Sequence, residues 1–264
     1  MISGLIIYSD KDAKKNQWFI TKCQEECRKR QMALDFIEEK DVLIYLNNHH
    51  PDFVIYRARN AELLKKIEDR GIRCFNPYLV NKTANDKYLT YQLFIKHGLP
   101  CLKTSKNIDD FNSFPLIMKS LSGHGGNEVY LINSKEEANR IISNSSNEYI
   151  YQEYLPNDGD LRVYVLNQQV VLGVLRKNQN DFRSNYSLGG EVSLFTPSDK
   201  IKEAAIKVSM LLEADYIGVD FLLVNDKYFI NEIEDPVGAR MVYQVSDIDI
   251  INLFIEDIKE KLTK

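Results

Sequence analysis

One stretch near the C-terminal end restricts the fold more than any other: Gly218-Val-Asp220-Phe-Leu-Leu-Val-Asn-Asp-Lys-Tyr-Phe-Ile-Asn-Glu232-Ile-Glu234-Asp235-Pro236. Two apolar runs flank a polar Asn-Asp-Lys segment, which predicts a β-hairpin. If residues 225–227 form a three-residue loop, Val224 faces Tyr228, Leu222 faces Ile230 and Asp220 faces Glu232. Side chains alternate along a strand, so Glu234 shares the face of Glu232 and three carboxylates crowd one end of the ribbon. Like charges opposed across strands repel, and a positive partner is called for. A hard divalent cation such as Mg²⁺ suits carboxylate oxygens and commonly shares them with substrate phosphates. The hairpin alone equally supports a plainer reading, with Glu234 and Asp235 in solvent and only Asp220 buried and bonded to backbone.

The rest of the chain changes character midway. Residues 5–8, 53–56 and 72–75 read as strands separated by helices over 12–31 and 61–70, the second stopped by Gly71, which is the pattern of a small parallel α/β layer. Asn76-Pro77 breaks the pattern, a helix over 83–97 ends at Gly98 and Pro100, and short strands surround 115–119 and 128–132. Beyond these, strands come as hairpins: 161–166 with 170–175 about Asn167-Gln168-Gln169, then the ribbon described above. A helix over 199–213 buries Ile201, Ala204, Ala205, Val208, Leu211 and Leu212 on one face. A last helix starts at Ser246, where Ser246-x-x-Asp249 resembles a capping box. The expected class is α+β with an α/β front.

Composition removes several classes of function. With 264 residues, 44% of them hydrophobic, the chain can bury a core and is not disordered. Its charge, 34 − 38 = −4, disfavours a broadly basic nucleic-acid binder. Charges interrupt every apolar run before membrane-spanning length, and no signal core is expected in residues 1–10. Cys23, Cys27, Cys74 and Cys101 form no framework, which points to a reducing cytoplasm. Cys23 and Cys27 share a helix face but lack further ligands and read as structural, as do His49 and His50.

Three further segments could carry chemistry. Lys119-Ser120-Leu121-Ser122-Gly123-His124-Gly125-Gly126 puts a lysine at a strand end beside glycines whose N–H groups can approach an anion; it reads as a phosphate cradle or as a flexible turn. It matches neither the Walker nor the dinucleotide spacing. Tyr151-Gln152-Glu153-Tyr154-Leu155 followed by Asp160-Leu161-Arg162 could read a base edge or form an edge strand with a surface ion pair. Arg176, then Phe182-Arg183-Ser184-Asn185 and Gly189-Gly190, offers guanidinium forks for phosphoryl or carboxylate oxygens, or solvated charges.

The order of Asp86-Lys87, Lys119 with its glycine loop, Gln152-Glu153-Tyr154, Asp160-Leu161-Arg162, Arg183 and Asn185, Gly218-Val-Asp220 and Glu232-Ile-Glu234 resembles the ATP-grasp superfamily, in particular the RimK-like carboxylate-amine ligases. The resemblance implies an ATP-grasp fold of two α+β lobes sandwiching ATP, over 81–155 and 156–264, after a small α/β lobe over 1–80. It implies that Lys87 and Lys119 hold ATP phosphates and that the loop with Ser122, Gly123, Gly125 and Gly126 closes over them. Glu153, Tyr154 and Leu155 would line the adenine pocket, with Asp160, Arg183 and Asn185 on the nucleotide. Asp220, Glu232 and Glu234 would bind two Mg²⁺ or Mn²⁺ ions, and Arg176, with Lys119, would stabilise the transferred group.

The departure from the family pattern lies at the hairpin's end. The usual Glu-x-Asn and Pro-Gly turn is replaced by Glu232-Ile-Glu234-Asp235-Pro236, which adds a negative charge that Arg240 could balance. The implied activity is an ATP-dependent ligase that phosphorylates a substrate carboxylate and passes the acyl group to an amine. A kinase acting on a hydroxyl and a non-catalytic nucleotide-binding module are the alternatives. Substrates are expected to be small-molecule or peptide carboxylates and amines, with no nucleic-acid or membrane partner and oligomer formation left open. For the acid the candidates are Arg57, Arg59 and Arg240: the first two follow the strand over 53–56, where switch-point logic would put a ligand, or they are solvated, and Arg240 follows the turn that commonly borders the substrate in the family.

Overall fold

The N-terminal segment builds a parallel sheet. Strand β1 (Ile2–Tyr8) leads into helix α1 (Asp10–Lys29), β2 (Met32–Glu38), the short α2 (Val42–Tyr45), β3 (Phe53–Tyr56), α3 (Ala61–Glu68) and β4 (Arg73–Phe75). The strand order is β2-β1-β3-β4 with every pair parallel. The molecule is a computed structural model that describes residues 1–123, 128–177 and 191–264. Strand β2 has no counterpart in the sequence reading. It is an edge strand with Phe36 exposed and Asp35 and Glu38 along it, so its apolar alternation is broken.

Next come α4 (Tyr78–Ala84) and α5 (Lys87–Lys96), where the sequence suggested one helix. Asp86 accepts hydrogen bonds from the N–H groups of Tyr88 and Leu89, both at 2.9 Å, and so starts a new helix. Strands β5 (Thr104–Ser105), β6 (Leu116–Ser120) and β7 (Val129–Ile132), helix α6 (Lys135–Ser143) and β8 (Tyr149–Glu153) follow, with the antiparallel order β5-β8-β6-β7. Leu116 and Met118 enter the core of this sheet, so Ile117 and Lys119 project from the other face.

The third sheet is antiparallel, in the order β11-β10-β9-β12-β13. It comprises β9 (Gly159–Leu166), β10 (Gln169–Lys177), β11 (Glu191–Phe195) and, after helix α7 (Asp199–Leu212), β12 (Tyr216–Val224) and β13 (Lys227–Glu234). Leu161, Val163, Val165, Ile217, Val219 and Phe221 on one face bury against Ile201, Ala204, Ala205, Val208 and Leu212 of α7. Tyr164, Leu166, Leu172, Val174 and Tyr216 on the other face share a core with β1, β3 and α1.

The last hairpin differs from the sequence reading in its turn. Its loop is the two residues Asn225-Asp226, so Val224 pairs with Lys227 and Phe221 with Ile230, one position short of the expected register. A bulge at Asn231 inserts the missing residue, and Asp220 does face Glu232. Helix α8 (Arg240–Val245) and helix α9 (Ile250–Thr263) close the chain. Helix α9 is capped by Asp249, which accepts from the Asn252 N–H at 3.0 Å, rather than by a box at Ser246. It packs on α1 of the N-terminal layer, where Arg30 Nη2 donates to Asn252 Oδ1 at 2.7 Å.

Candidate active site

A cleft opens between the second and third sheets, lined among others by Lys87, Lys119, Glu153, Asp160, Glu232 and Glu234. Lys87 reaches it because α5 begins there: its backbone N–H donates to the Leu121 carbonyl at 3.2 Å and its ammonium donates to the Gly123 carbonyl. Ser122 and Gly123 line the same wall. A Cβ on Gly123 would fall 2.0 Å from Ser120 Oγ, so a side chain there would have to displace the Ser120 hydroxyl. Lys119 is buried and donates to Asn231 Oδ1 at 2.9 Å, which ties β6 to the bulge of β13. Burial, aided by the nearby Lys87 charge and opposed by Glu232, lowers its ammonium pKa to about 8.

The charged end of the third sheet follows from its register. Asp160 and Arg162 stand two apart on β9; Arg176 of β10 lies opposite Asp160, and Asp220 of β12 opposite Arg162. Arg162 donates Nε to Asp220 Oδ1 and Nη2 to Asp220 Oδ2, each at 2.7 Å, and Nη2 also to Glu234 Oε2 at 2.7 Å. Arg176 Nη2 donates to Asp220 Oδ2 at 2.6 Å and to Asp160. Gly218 leaves room for this crossing, since a Cβ there would lie 2.9 Å from Val237 Cγ2 and 3.2 Å from Arg162 Cδ.

The carboxylates respond differently to this setting. Burial pushes Asp220 up, but the two arginines outweigh it and hold its carboxyl at about 2. Glu232 is raised by burial and by the Asp220 charge, with Lys87 opposing. Among the described residues no hydrogen bond or ion pair reaches the Glu232 carboxylate. Oxygens of Asp220, Glu232 and Glu234 lie within 4.8 Å of one another. That all-oxygen donor set, with one carboxylate unpartnered, fits a hard divalent ion.

The structure brings most of the expected residues to one cleft: Lys87, Lys119, Ser122, Gly123, Glu153, Tyr154, Leu155, Asp160, Glu232, Glu234 and Arg59 all line it. Asp220 is fully buried beside Glu232, its partner on the neighbouring strand. Gly125, Gly126, Arg183 and Asn185 fall outside the described residues. Arg176 is absent from the wall among the described residues; its guanidinium backs Asp160 and Asp220, and its Nε has no partner there. Arg57 is not at the cleft either. It is buried, donates Nη2 to the Val237 carbonyl at 2.7 Å and Nε to Tyr8 Oη at 3.1 Å, and packs over Phe19. Arg240 is exposed on α8, donates to the Lys15 carbonyl and does not balance Glu234; Arg162 does.

Sequence reasoning assigned no role to Arg162, Asn231 or Asn85. Arg162 carried a usable signal: it is a charge two residues beyond Asp160 in an apolar strand, hence on the same face. Asn231 was hidden by the bulge. Asn85, whose side-chain amide donates to the Asp235 carbonyl at 3.0 Å, was hidden inside a helix that is in fact two.

Comparisons with known proteins bear on this constellation. Residues 84–258 match the family model of the RimK-like ATP-grasp domain. The sequence is 31% identical to the uncharacterized protein MG011 of Mycoplasma genitalium, over 99% of this chain and 94% of that one. A probable alpha-L-glutamate ligase of Haemophilus influenzae is 24% identical over 89% of this chain and 91% of its own. Among solved structures, the ATP-grasp ligase PsnB complexed with a phosphomimetic variant of its minimal precursor, Mg and ADP superposes with a TM-score of 0.73, at 17% identity and 98% coverage of both chains.

Proposed function

The chain belongs to the RimK-like ATP-grasp family and has its α+β fold, and from that premise we propose that it is an ATP-dependent ligase joining the carboxylate of an amino acid or peptide to an amine. The observation that carries the reading is the meeting of Lys87 and Lys119 with Asp160, Glu232 and Glu234 across one cleft. Three lobes, over 1–80, 81–155 and 156–264, are part of it, as is a cytoplasmic setting. No described helix is long and apolar enough to cross a membrane.

In this reading a carboxylate oxygen of the acid attacks the γ-phosphorus of ATP, the bond to the β,γ-bridging oxygen breaks, and ADP leaves with that electron pair. The amine nitrogen then attacks the acyl carbon, the bond from carbon to the phosphate oxygen breaks, inorganic phosphate leaves with that electron pair, and the proton lost by the amine passes to solvent as the amide forms. Lys87 and Lys119 hold the phosphates and offset the charge that moves between oxygens. Ser122 and Gly123, with Gly125 and Gly126, cover the reacting groups and keep out water that would hydrolyse the acyl phosphate. Glu153, Tyr154 and Leu155 take the adenine, while Asp160, Arg183 and Asn185 contact the nucleotide.

Glu232 and Glu234, with Asp220 beside them, would hold Mg²⁺ or Mn²⁺, two ions in our reading, supplying positive charge to the phosphoryl oxygens. Arg162 and Arg176 act through Asp220 as positioning residues. L-Glutamate is a first acid to test, given the Haemophilus relative's name. The test is ADP release in Mg²⁺ and ATP with panels of acids and amines. Release that requires both an acid and an amine is expected, and no ADP or phosphate with any combination would refute the ligase.

A further inference from the structure

Arg59 differs from the other arginines near the cleft. Arg162 and Arg176 spend their forks on carboxylates no farther than 2.7 Å away, and Arg57 is spent on a carbonyl and a tyrosine hydroxyl. Arg59 lines the cleft, and among the described residues it is the one arginine that does. Among the described residues its guanidinium has only distant partners, Asp12 Oδ2 at 3.4 Å and Glu234 Oε1 at 3.9 Å. An N–H···O bond of full strength lies near 2.9 Å, so most of its five donors are unspent.

The backbone that carries it is fixed on both sides. The Arg57 N–H donates to the Ile7 carbonyl at 2.9 Å, and the Ala58 carbonyl accepts from Asn81 Nδ2 at 2.9 Å. The Asn60 carbonyl accepts from Tyr56 Oη at 2.8 Å, while the Asn60 side chain caps α3. A pinned backbone under an unsatisfied fork is what a preorganised anion site requires. Its nearness to Glu234 puts the fork at the carboxylate end of the cleft, and a guanidinium matches a carboxylate in pairs of parallel hydrogen bonds.

We infer that Arg59 anchors the carboxylate of the acid substrate at the Glu234 end of the cleft. The inference rests on the ligase reading and deepens it. It is tested on the full chain by calorimetry, in two stages: Mg–AMPPNP first, then L-glutamate, citrate or N-acetyl-L-glutamate with the nucleotide in place. Arg59→Gln is expected to weaken acid binding by about tenfold or more, as loss of a charge-assisted pair should, while Mg–AMPPNP affinity stays within about threefold. Arg59→Lys, which keeps the charge without the fork, should fall between. Equal acid affinity in wild type and Arg59→Gln, or no acid bound by the wild type once Mg–AMPPNP is in place, would overturn the assignment. Failure of the wild type to bind Mg–AMPPNP would instead count against the ligase reading.

Discussion

The two faces of the third sheet are built from the same strands and do different work. On one, Leu161, Val163, Val219 and Phe221 are buried against α7 and carry no polar group. On the other, the alternating positions Asp160, Arg162 and Asp220 carry charges that are just as buried. Apolar burial needs only volume and pattern, whereas the charged face is tolerable because each carboxylate is answered by a guanidinium from the next strand. Glu232 lacks such an answer, and that difference marks where the sheet stops supporting itself and begins to serve a ligand.

Adjacent residues of β12 break this comparison most severely. Phe221→Ala should cost roughly 3–5 kcal/mol of stability, seen in denaturant unfolding, and leave nucleotide affinity of the folded protein unchanged. Asp220→Asn should cost a similar amount, roughly 3–5 kcal/mol, because two buried guanidinium groups lose their shared carboxylate, and it should weaken Mg²⁺-dependent nucleotide binding as well. If both variants changed nucleotide binding equally, the division of labour between the faces would be wrong.

Glu232→Gln should separate stability from function. It removes an unpartnered carboxylate raised by burial and by Asp220, so the unfolding midpoint should hold or rise. Steady-state ADP release should nevertheless fall by about a hundredfold or more. Gly218→Ala is a milder probe: its Cβ would press on Val237 and the Arg162 stem, with an expected cost of about 1–3 kcal/mol in unfolding experiments.

The smallest effect is a pH dependence set by Lys119. Its folded pKa of about 8 lies below that of the unfolded chain, so above pH 8 the unfolded state binds the extra proton and this group's contribution to stability grows with pH. Nucleotide affinity should move the other way, falling as pH rises through 8 and the ammonium loses its charge. Phosphate oxygens favour the charged form, so binding near pH 8 to 9 should take up a fraction of a proton, read by calorimetry in buffers of differing ionisation heat. Lys119→Met should abolish that uptake; its persistence would assign it elsewhere.

Much of this arrangement was legible in the residues, for stated reasons. Alternation in Gly218 to Asp220 and Glu232 to Glu234 determined which side chains share a face, and the pairing of Asp220 with Glu232 followed even though the turn is one residue shorter, because the bulge at Asn231 offsets it. The parallel front layer was readable from its buried strands but not from β2, an edge strand with one side open to solvent. The helix break at Asp86 went unread because a cap depends on a side-chain hydrogen bond, not on periodicity. Arg57 and Arg59 lie two apart in sequence, and only tertiary contacts distinguish the buried clamp from the open fork.

The central claim is that the acidic face and the two lysines form a single metal–nucleotide site. Titration of Mn²⁺ by electron paramagnetic resonance, with and without AMPPNP, tests it most directly. In the wild type the nucleotide should tighten Mn²⁺ binding, and Glu232→Gln and Lys119→Met should each remove that enhancement. Mn²⁺ binding indifferent to AMPPNP, or enhancement surviving in both variants, would contradict the account.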